Sequence, residues 1–374
     1  MSDLRVPLNA PDLGGLERQY LLQALDSGWI TSGKFVERFE EEFAAFAGRR
    51  YAVTCCSGTA ALWLAVMALD VPQSQRVVTC SYTCDSVGNA VLLATRQPPL
   101  LIDCEFGTWT MRATELEEML RSRREVAAVI CPHTYGVPAE IDRIEALCRE
   151  HGVRLIEDAS EAHGATLANR PVGAFGDMAV FSCRGEKLVG AGQMGVVVTD
   201  DPSLAARVRR LANNGLPTHV LRYWSVEPGL NLMTSNLLAA LGLAQLHRVH
   251  ELIAARREVQ RRWRALFAHV EGVEFQALRG DSVAWLTGLI LYPEFCYLVP
   301  QDLGLALRER GVETRPGFVP LHRMPAFLGA NPGPCSVSEL LYKQALILPS
   351  GPRITEEDQQ YVFAQLLDII GQRS

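Results

Sequence analysis

DMAVFSCRGEKLVGAGQMGVVVTD, residues 177–200, decides how the rest of the chain is read. Two short apolar runs, DMAVFS (177–182) and GVVVT (195–199), flank a link of about a dozen residues that contains Gly185, Gly190 and Gly192. Such a link is short for a crossover with a full helix, so the spacing predicts an antiparallel pairing of the two runs. Lys187 stands in the middle of the link. A lysine on a tight, glycine-rich connection between buried strands suits one that must reach a fixed carbonyl carbon and bond to it. Taken by itself, the segment also suits a solvent-exposed loop lysine.

Outward from that pair, residues 51–200 alternate between two hydrophobic periods. YAVTCC (51–56), RVVTCS (76–81), PPLLIDC (98–104), VAAVICP (126–132) and RLIEDA (154–159) read as strands. Helices are expected at SGTAALWLAVMAL (57–69), DSVGNAVLLA (85–94), TELEEMLRSR (114–123) and IDRIEALCREHG (141–152). Thr114 with Glu117 three residues on predicts a capping box. The strands are continuously apolar rather than alternating, which indicates a mostly parallel sheet covered on both faces, with the antiparallel pair making it mixed.

A further helix is expected at 203–213. The stretch NNGLPTHVLRYWSVEPGLNLMTS (213–235) has the length and irregularity of a functional loop. Two helices follow, LLAALGLAQLHRV and ELIAARREVQRRWRALFAHV. A C-terminal module begins near Gly272, with the strand LTGLILYP and the helices LGLALRERG and TEEDQQYVFAQLLDII. The expected division is a large domain over 1–245, N-terminal segment included, and a small domain over 246–374, a size that suits two unequal units.

The bulk numbers restrict the class. The chain has 374 residues, 48% hydrophobic and 21% charged, with a formal net charge of −6. That balance draws it to neither nucleic acid nor an anionic membrane. Arg256, Arg257, Arg261, Arg262 and Arg264 recur at helical spacing and read as a solvated helix face. Several of the ten cysteines lie in or beside apolar strand-like runs, where free cysteine behaves as a small hydrophobe. Cys80 and Cys84 have no second pair to complete a zinc site, so no metal is expected. The segment MSDLRVPLNAPDLG lacks an apolar signal core and no run approaches the length of a membrane span. The expectation is a reduced, cytoplasmic protein.

Several residues at strand ends carry candidate chemistry. Ser57, Gly58 and Thr59 lie where the first strand turns into a helix, a seat for phosphate or a plain N-cap. Ser182 ends another strand and is placed to reach the same anion. Glu157 and Asp158 end RLIED, where open α/β sheets bind ligands at the carboxyl ends of their strands. A carboxylate there can hold a proton on a pyridine nitrogen, or serve as a cap or local ion pair. Glu161 is a candidate partner for a cofactor hydroxyl. His163, in SEAHGA, is placed to stack on a ring or to pack.

Taken in order, SGTAAL, SYTCDSVGNAVLLA, LLIDCE, HTYGVP, IEDASEAHGA, GAFGDMAVFSCRGEKLVGAGQMGVVVTD, LNLMTSNLLAALGLAQL, PLHRMPAF and LPSGPRITEED carry a resemblance. The chain resembles the vitamin B6-dependent sugar aminotransferases of the DegT/DnrJ/EryC1/StrS group, found in bacterial cell-surface and antibiotic pathways. The resemblance runs from about Arg5 to the C-terminus. It implies the α/β transferase fold of pyridoxal-phosphate enzymes of fold type I. That fold has a mostly parallel seven-stranded sheet sandwiched by helices, plus a smaller C-terminal α/β domain. It also implies the cofactor pyridoxal 5'-phosphate and a homodimer with shared active sites.

Residue by residue, Lys187 matches the lysine that bonds to the cofactor and moves the proton, and Asp158 the carboxylate on the pyridinium nitrogen. Glu161 matches a position near the cofactor hydroxyl that is usually glutamine. Gly58, Thr59 and Ser182 match the phosphate cradle, and Asn231 an asparagine that reaches the phosphate across the dimer. His163, Tyr135, Arg315 and His322 are the residues implied near the substrate. The chain departs from the pattern at Cys84, where an aromatic ring usually stacks on the cofactor, at Glu161, and at Gln193 and Met194. A carboxylate facing a phenolate-like oxygen is repulsive unless protonated or paired.

The implied reaction moves an amino group from glutamate or glutamine to a ketone on a nucleotide-linked sugar or a cyclitol. Some relatives are sugar dehydratases with histidine in place of the lysine, so Lys187 favours transfer. A sugar dehydratase or lyase on the same fold and a non-catalytic cofactor-binding regulator are the alternatives.

Overall fold

A computed structural model describes residues 4–217, 223–330 and 333–371. The N-terminal part opens with two helices, α1 (Gly15–Asp26) and α2 (Lys34–Phe46). The sheet-forming region follows in the order β1 (Tyr51–Cys55), α3 (Gly58–Leu69), β2 (Arg76–Cys80), α4 (Asp85–Thr95), β3 (Leu100–Ile102), α5 (Ala113–Ser122), β4 (Val126–Pro132), α6 (Ile141–His151) and β5 (Arg154–Asp158). A small hairpin, β6 (Thr166–Leu167) and β7 (Arg170–Pro171), precedes β8 (Met178–Ser182), β9 (Gly195–Thr199) and α7 (Pro202–Ala212). Then come α8 (Asn236–His247), α9 (Val249–Leu266), β10 (Val273–Phe275), β11 (Thr287–Leu291), α10 (Pro300–Glu309), β12 (Arg315–Pro316), α11 (Ser336–Gln344), β13 (Ala345–Leu348) and α12 (Glu356–Gly371).

Seven strands form one sheet in the order β1-β9-β8-β5-β4-β2-β3. The pairs β8–β5, β5–β4, β4–β2 and β2–β3 are parallel. β9 runs antiparallel to both β8 and β1, so β1 points the same way as the parallel set. The expected mixed sheet and the antiparallel pair at 177–200 are both present.

Alternate residues of each strand enter different cores, which is why the strands are apolar throughout. Val78, Val129, Leu155, Phe181 and Val196 pack on one face with α2, α5, α6 and α8. Val77, Ile130, Ile156, Val180 and Val197 pack on the other with α3, α4 and α7. A second sheet, β10-β11-β13-β12, is antiparallel. Leu289, Leu291, Leu346 and Leu348 face a separate core with Trp263 of α9, Leu307 of α10 and Leu366 of α12. Ile290 and Ile347 point back into the large core.

Two expectations are corrected, and two helices are added to the expected set. α5 starts after Arg112 with no side-chain cap, so Thr114 caps nothing. Glu117 is drawn away instead, accepting from Arg143 at 3.0 Å and pairing with Arg121. The arginines of α9 are not a solvated face: Arg256 is buried and donates to the carbonyls of Trp285 and Ser350. Arg257, Arg262 and Arg264 also donate to main-chain carbonyls, and of the five only Arg257 and Arg261 are exposed, Arg261 beside Glu258. Finally, α1 and α2 go beyond the sequence reading.

Of the irregular stretch 213–235, residues 218–222 lie outside the described residues. The remainder folds back on α7: the N–H of Leu230 donates to Leu211 and that of Val226 to Gly215. Gly215 has φ +71°, and a Cβ there would lie 1.7 Å from the carbonyl oxygen of Glu227. Only glycine permits that approach. Among the described residues all ten cysteines are free, and no helix is long and apolar enough to cross a membrane.

Candidate active site

Because β1, β2, β4, β5 and β8 share one direction, the segments leaving their carboxyl ends meet at one edge of the sheet. They wall a cavity of about 250 Å³. Gly58 and Thr59 follow β1, Cys84 follows β2, Asp158 and Glu161 end and follow β5, and Ser182 and Lys187 end and follow β8. Arg315 closes the set from the second sheet. Residues far apart in sequence are thus delivered together by strand direction.

The Lys187 segment is a stiffened turn. The N–H of Cys183 donates to Met194 at 2.7 Å, that of Gly185 to Gly192 at 3.0 Å, and that of Lys187 to Arg184 at 2.8 Å. A Cβ on Gly190 would lie 2.6 Å from the Gly185 carbonyl oxygen, so the turn closes only with glycine there. The Glu186 carbonyl accepts from Asn9 at 2.8 Å and from the Trp285 indole at 3.0 Å. The lysine side chain is 10% exposed, with Nζ 3.2 Å from Glu161 Oε1 and 3.3 Å from the Trp285 ring centroid.

Glu161 is held from the other side by the N–H of Tyr135, 2.8 Å from Oε2. Burial lifts its carboxyl above the usual range, although the Lys187 ammonium pulls the other way. Tyr135 does not line the cavity. It sits one layer behind with φ +56°, its ring stacked on Phe318 at 4.9 Å. Phe318 itself forms part of the wall.

Ser57 caps α3, its Oγ accepting from the N–H of Ala60 at 3.1 Å. A Cβ on Gly58 would lie 2.7 Å from the Cβ and 2.8 Å from the Oγ of Ser182. Glycine therefore lets the helix start close onto the end of β8. The outcome is a helix N-terminus ringed by the hydroxyls of Ser57, Thr59 and Ser182, a setting made for a phosphate group. With a carboxylate at Asp158 and a primary amine at Lys187 in the same walls, the donor set fits pyridoxal phosphate.

The remaining expected residues lie elsewhere. His163 is fully buried between Phe43 and Phe181, with no hydrogen-bond partner for either ring nitrogen among the described residues. It packs and does not reach the cavity, which corrects its placement as a substrate ligand. Burial, then the positive charges of Lys187 and Arg256, depress its pKa to about 3. Glu157 is also structural: it points away from Asp158 and accepts from the N–H groups of Gly173 and Phe175. His322 bridges Ser81 at 2.7 Å and Glu339 at 2.9 Å, fixing the loop beyond Phe318 rather than lining the wall. Asn231 is exposed, bridged to Asn213, and outside the cavity of its own chain.

Cys84 does line the wall, as N-cap residue of α4, with Sγ 3.3 Å from Asp85 Oδ1 and 3.4 Å from Ser86 Oγ. Burial pushes its thiol up to about 11. The sequence reading missed His133, Ser160, Trp285 and Phe318, all in the wall. His133 directly follows a strand end and Ser160 lies two residues past one, and the strand-end rule would find them. Trp285 and Phe318 carry no local signal.

The profile of the DegT/DnrJ/EryC1/StrS aminotransferase family matches residues 11–367. The chain is 34% identical to the GDP-perosamine synthase of Caulobacter vibrioides over 375 residues, covering 99% of this chain and 100% of that protein. It is 35% identical to the putative pyridoxal phosphate-dependent aminotransferase EpsN of Bacillus subtilis, covering 98% and 96%. The crystal structure of DesI in the presence of its TDP-sugar product superposes with a TM-score of 0.89 at 28% identity, covering 100% and 96%.

Proposed function

The chain belongs to the DegT/DnrJ/EryC1/StrS aminotransferase family, and from that premise we propose that it aminates a ketone on a nucleotide-linked keto sugar or keto cyclitol, with glutamate or glutamine as donor. It is a pyridoxal-phosphate-dependent aminotransferase. The observation that carries the reading is the convergence of the Lys187 amine, the Asp158 carboxylate and the Gly58–Ser182 cradle on one cavity. The sugar acceptor is supported by the full-length similarity to a GDP-perosamine synthase and by the likeness to DesI with its TDP-sugar product. The setting we propose is a cell-surface polysaccharide or secondary-metabolite pathway in the cytoplasm.

The bound cofactor supplies an electron sink beside the carbon that exchanges its amino group. The hydroxyls of Ser57, Thr59 and Ser182 and the start of α3 would hold its phosphate and so fix it relative to Lys187. Asp158 would keep the proton on the ring nitrogen. Lys187 Nζ would take the proton from the donor's α-carbon and deliver one to the cofactor carbon bonded to the same nitrogen. Arg315, exposed at the cavity wall, offers a guanidinium to a carboxylate or phosphate of the substrate. His322 and Tyr135 act one layer back, through the loop that carries Phe318.

The assembly we propose is a homodimer, or a dimer of dimers, in which Asn231 of one protomer reaches the cradle of its partner. The exposure of Asn231 supports this. The separate core around Trp263 supports a division into a large unit over 1–245 and a small one over 246–374.

A screen of keto sugar nucleotides and keto cyclitols against glutamate and glutamine, with amine products identified by mass, tests the reading. One acceptor class should give an amine and an equimolar oxo acid. Loss of hydroxyl from the sugar without oxo acid would instead identify a dehydratase.

A further inference from the structure

We propose that Glu161 is the proton acceptor for Lys187, taking the ammonium proton on Oε1 when the lysine becomes a nucleophile and keeping it while the cofactor is bound. The inference rests on the proposed reading that Lys187 bonds to an aldehyde cofactor.

The geometry isolates the pair. Lys187 Nζ lies 3.2 Å from Glu161 Oε1, and the Trp285 ring covers it at 3.3 Å from the centroid. Both partners favour the charged amine, a carboxylate by charge and an aromatic face by its quadrupole. A protonated amine cannot attack a carbon, so the proton must leave first. Among the described residues, Glu161 is the one ion-pair partner of Lys187. The step balances as ammonium and carboxylate giving amine and carboxylic acid. The amine nitrogen then bonds to the aldehyde carbon, and the aldehyde oxygen leaves as water.

Once the nitrogen is bound to carbon it is no longer an ammonium, and a proton kept on the imine nitrogen is neutralised by the cofactor's own phenolate-like oxygen, so Glu161 loses its counter-ion. What faces it then disfavours a second negative charge. Asp158 and Cys84 share its cavity, and the phenols of Tyr82 and Tyr135 are held neutral by burial. Arg184 pairs with Glu186, and Arg315 is exposed to solvent. His163 stays neutral and Arg256 is committed to carbonyls. The N–H of Tyr135 is left as the fixed partner of Oε2. A buried carboxylate stripped of its cation is costly, and protonation removes the cost. The conflict noted for a carboxylate at this position is resolved by a neutral acid.

Infrared difference spectroscopy of the protein before and after loading with pyridoxal phosphate tests this. Loading is followed independently by the visible absorbance band and by borohydride fixation of the cofactor mass on the Lys187 peptide. A carboxylic-acid C=O band should appear on loading, shift when glutamate carboxyls carry carbon-13, and be lost in Glu161→Gln. The isotope shift assigns the band in the wild-type protein to a glutamate and excludes Asp158, and its loss in a Glu161→Gln variant that still fixes the cofactor on Lys187 assigns it to Glu161. A loaded enzyme with no acid band, or a band that survives Glu161→Gln, overturns the inference while leaving the aminotransferase reading intact. Failure of the cofactor to attach to Lys187 overturns both.

Discussion

Lys187 and Trp285 are joined twice. The amine rests on the indole face, Nζ 3.3 Å from the ring centroid, while the same indole donates Nε1–H at 3.0 Å to the carbonyl of Glu186, the residue before the lysine. One side chain, 98 positions further along the chain, thus holds both the lysine's backbone and its head group.

From this contact, Trp285→Leu should uncover the Lys187 amine and loosen its turn, because the ring covers Nζ and the indole N–H holds the Glu186 carbonyl. The rate of reductive methylation at Lys187, read by peptide mass at one fixed pH, should therefore rise several-fold. Trp285→Phe keeps a face and loses the Nε1 anchor, so its rate should fall between that of the wild type and that of Trp285→Leu. An unchanged rate in Trp285→Leu would show that the ring merely packs.

Lys187→Ala should abolish the visible absorbance band of the loaded enzyme. In the wild type, borohydride should leave the cofactor mass on the peptide containing Lys187. A label on Lys34 or Lys343 would contradict the assignment of the cavity.

Asp158→Asn should still load cofactor, since the Gly58–Ser182 cradle and Lys187 are untouched. An amide cannot match the carboxylate's charge at the ring nitrogen. Turnover should fall on the order of 10²-fold or more, as for loss of one strong electrostatic partner. Single-turnover rates at saturating donor decide it, and a near-normal rate in a folded variant would reject the role.

Much of the site is legible before any coordinates because it is made of strand ends. Ser57, Asp158 and Ser182 sit where an apolar run stops and Lys187 on the link that leaves one, and a parallel sheet collects such points at one edge. Glu157 and Asp158 show the limit of that rule. They are adjacent, but the side chains of a strand alternate, so one lines the cavity and the other caps main-chain N–H groups. His163 looked like a ligand because it lies near the strand end, yet the chain turns its ring into Phe43 and Phe181. Trp285 and Phe318 were illegible for a different reason. They arrive from the second sheet, and no local pattern encodes which distant strand end they will cover. α2 is legible in its spacing: Phe35, Val36, Phe39 and Phe43 mark one buried helical face.

His163 should make the fold acid-sensitive. Its folded pKa is about 3 against an ordinary 6.5, burial being the largest cause. Between those values the unfolded chain binds a proton that the folded protein does not. Stability therefore rises with pH across that window and falls as pH drops below about 6.5. The slope from this one group is about 1.4 kcal/mol per pH unit. His163→Leu removes the titrating group, so its denaturation midpoint should fall less steeply from pH 6.5 to 4.5 than that of the wild type. Parallel profiles would mean that the ring gains a proton without leaving its site.

Cys84 should set the width of the cavity on its side. It caps α4 at the carboxyl end of β2 and contributes to the wall, where its raised pKa of about 11 keeps the thiol neutral and unreactive at ordinary pH. A thiol is smaller than the aromatic ring that the family resemblance leads one to expect at this position. Cys84→Phe and Cys84→Trp should therefore keep the cofactor's visible band while changing the ratio of kcat/KM between a bulky and a compact ketone. Cys84→Ala removes only weak contacts to Asp85 and Ser86 and should change that ratio little. The opposing account is that the large side chains overpack the segment around Ser86, costing about 1–3 kcal/mol. Melting temperature measured with the two-ketone ratio separates the accounts. A lower Tm with an unchanged ratio would make Cys84 a packing residue, whereas a changed ratio at a preserved Tm makes it a determinant of acceptor size.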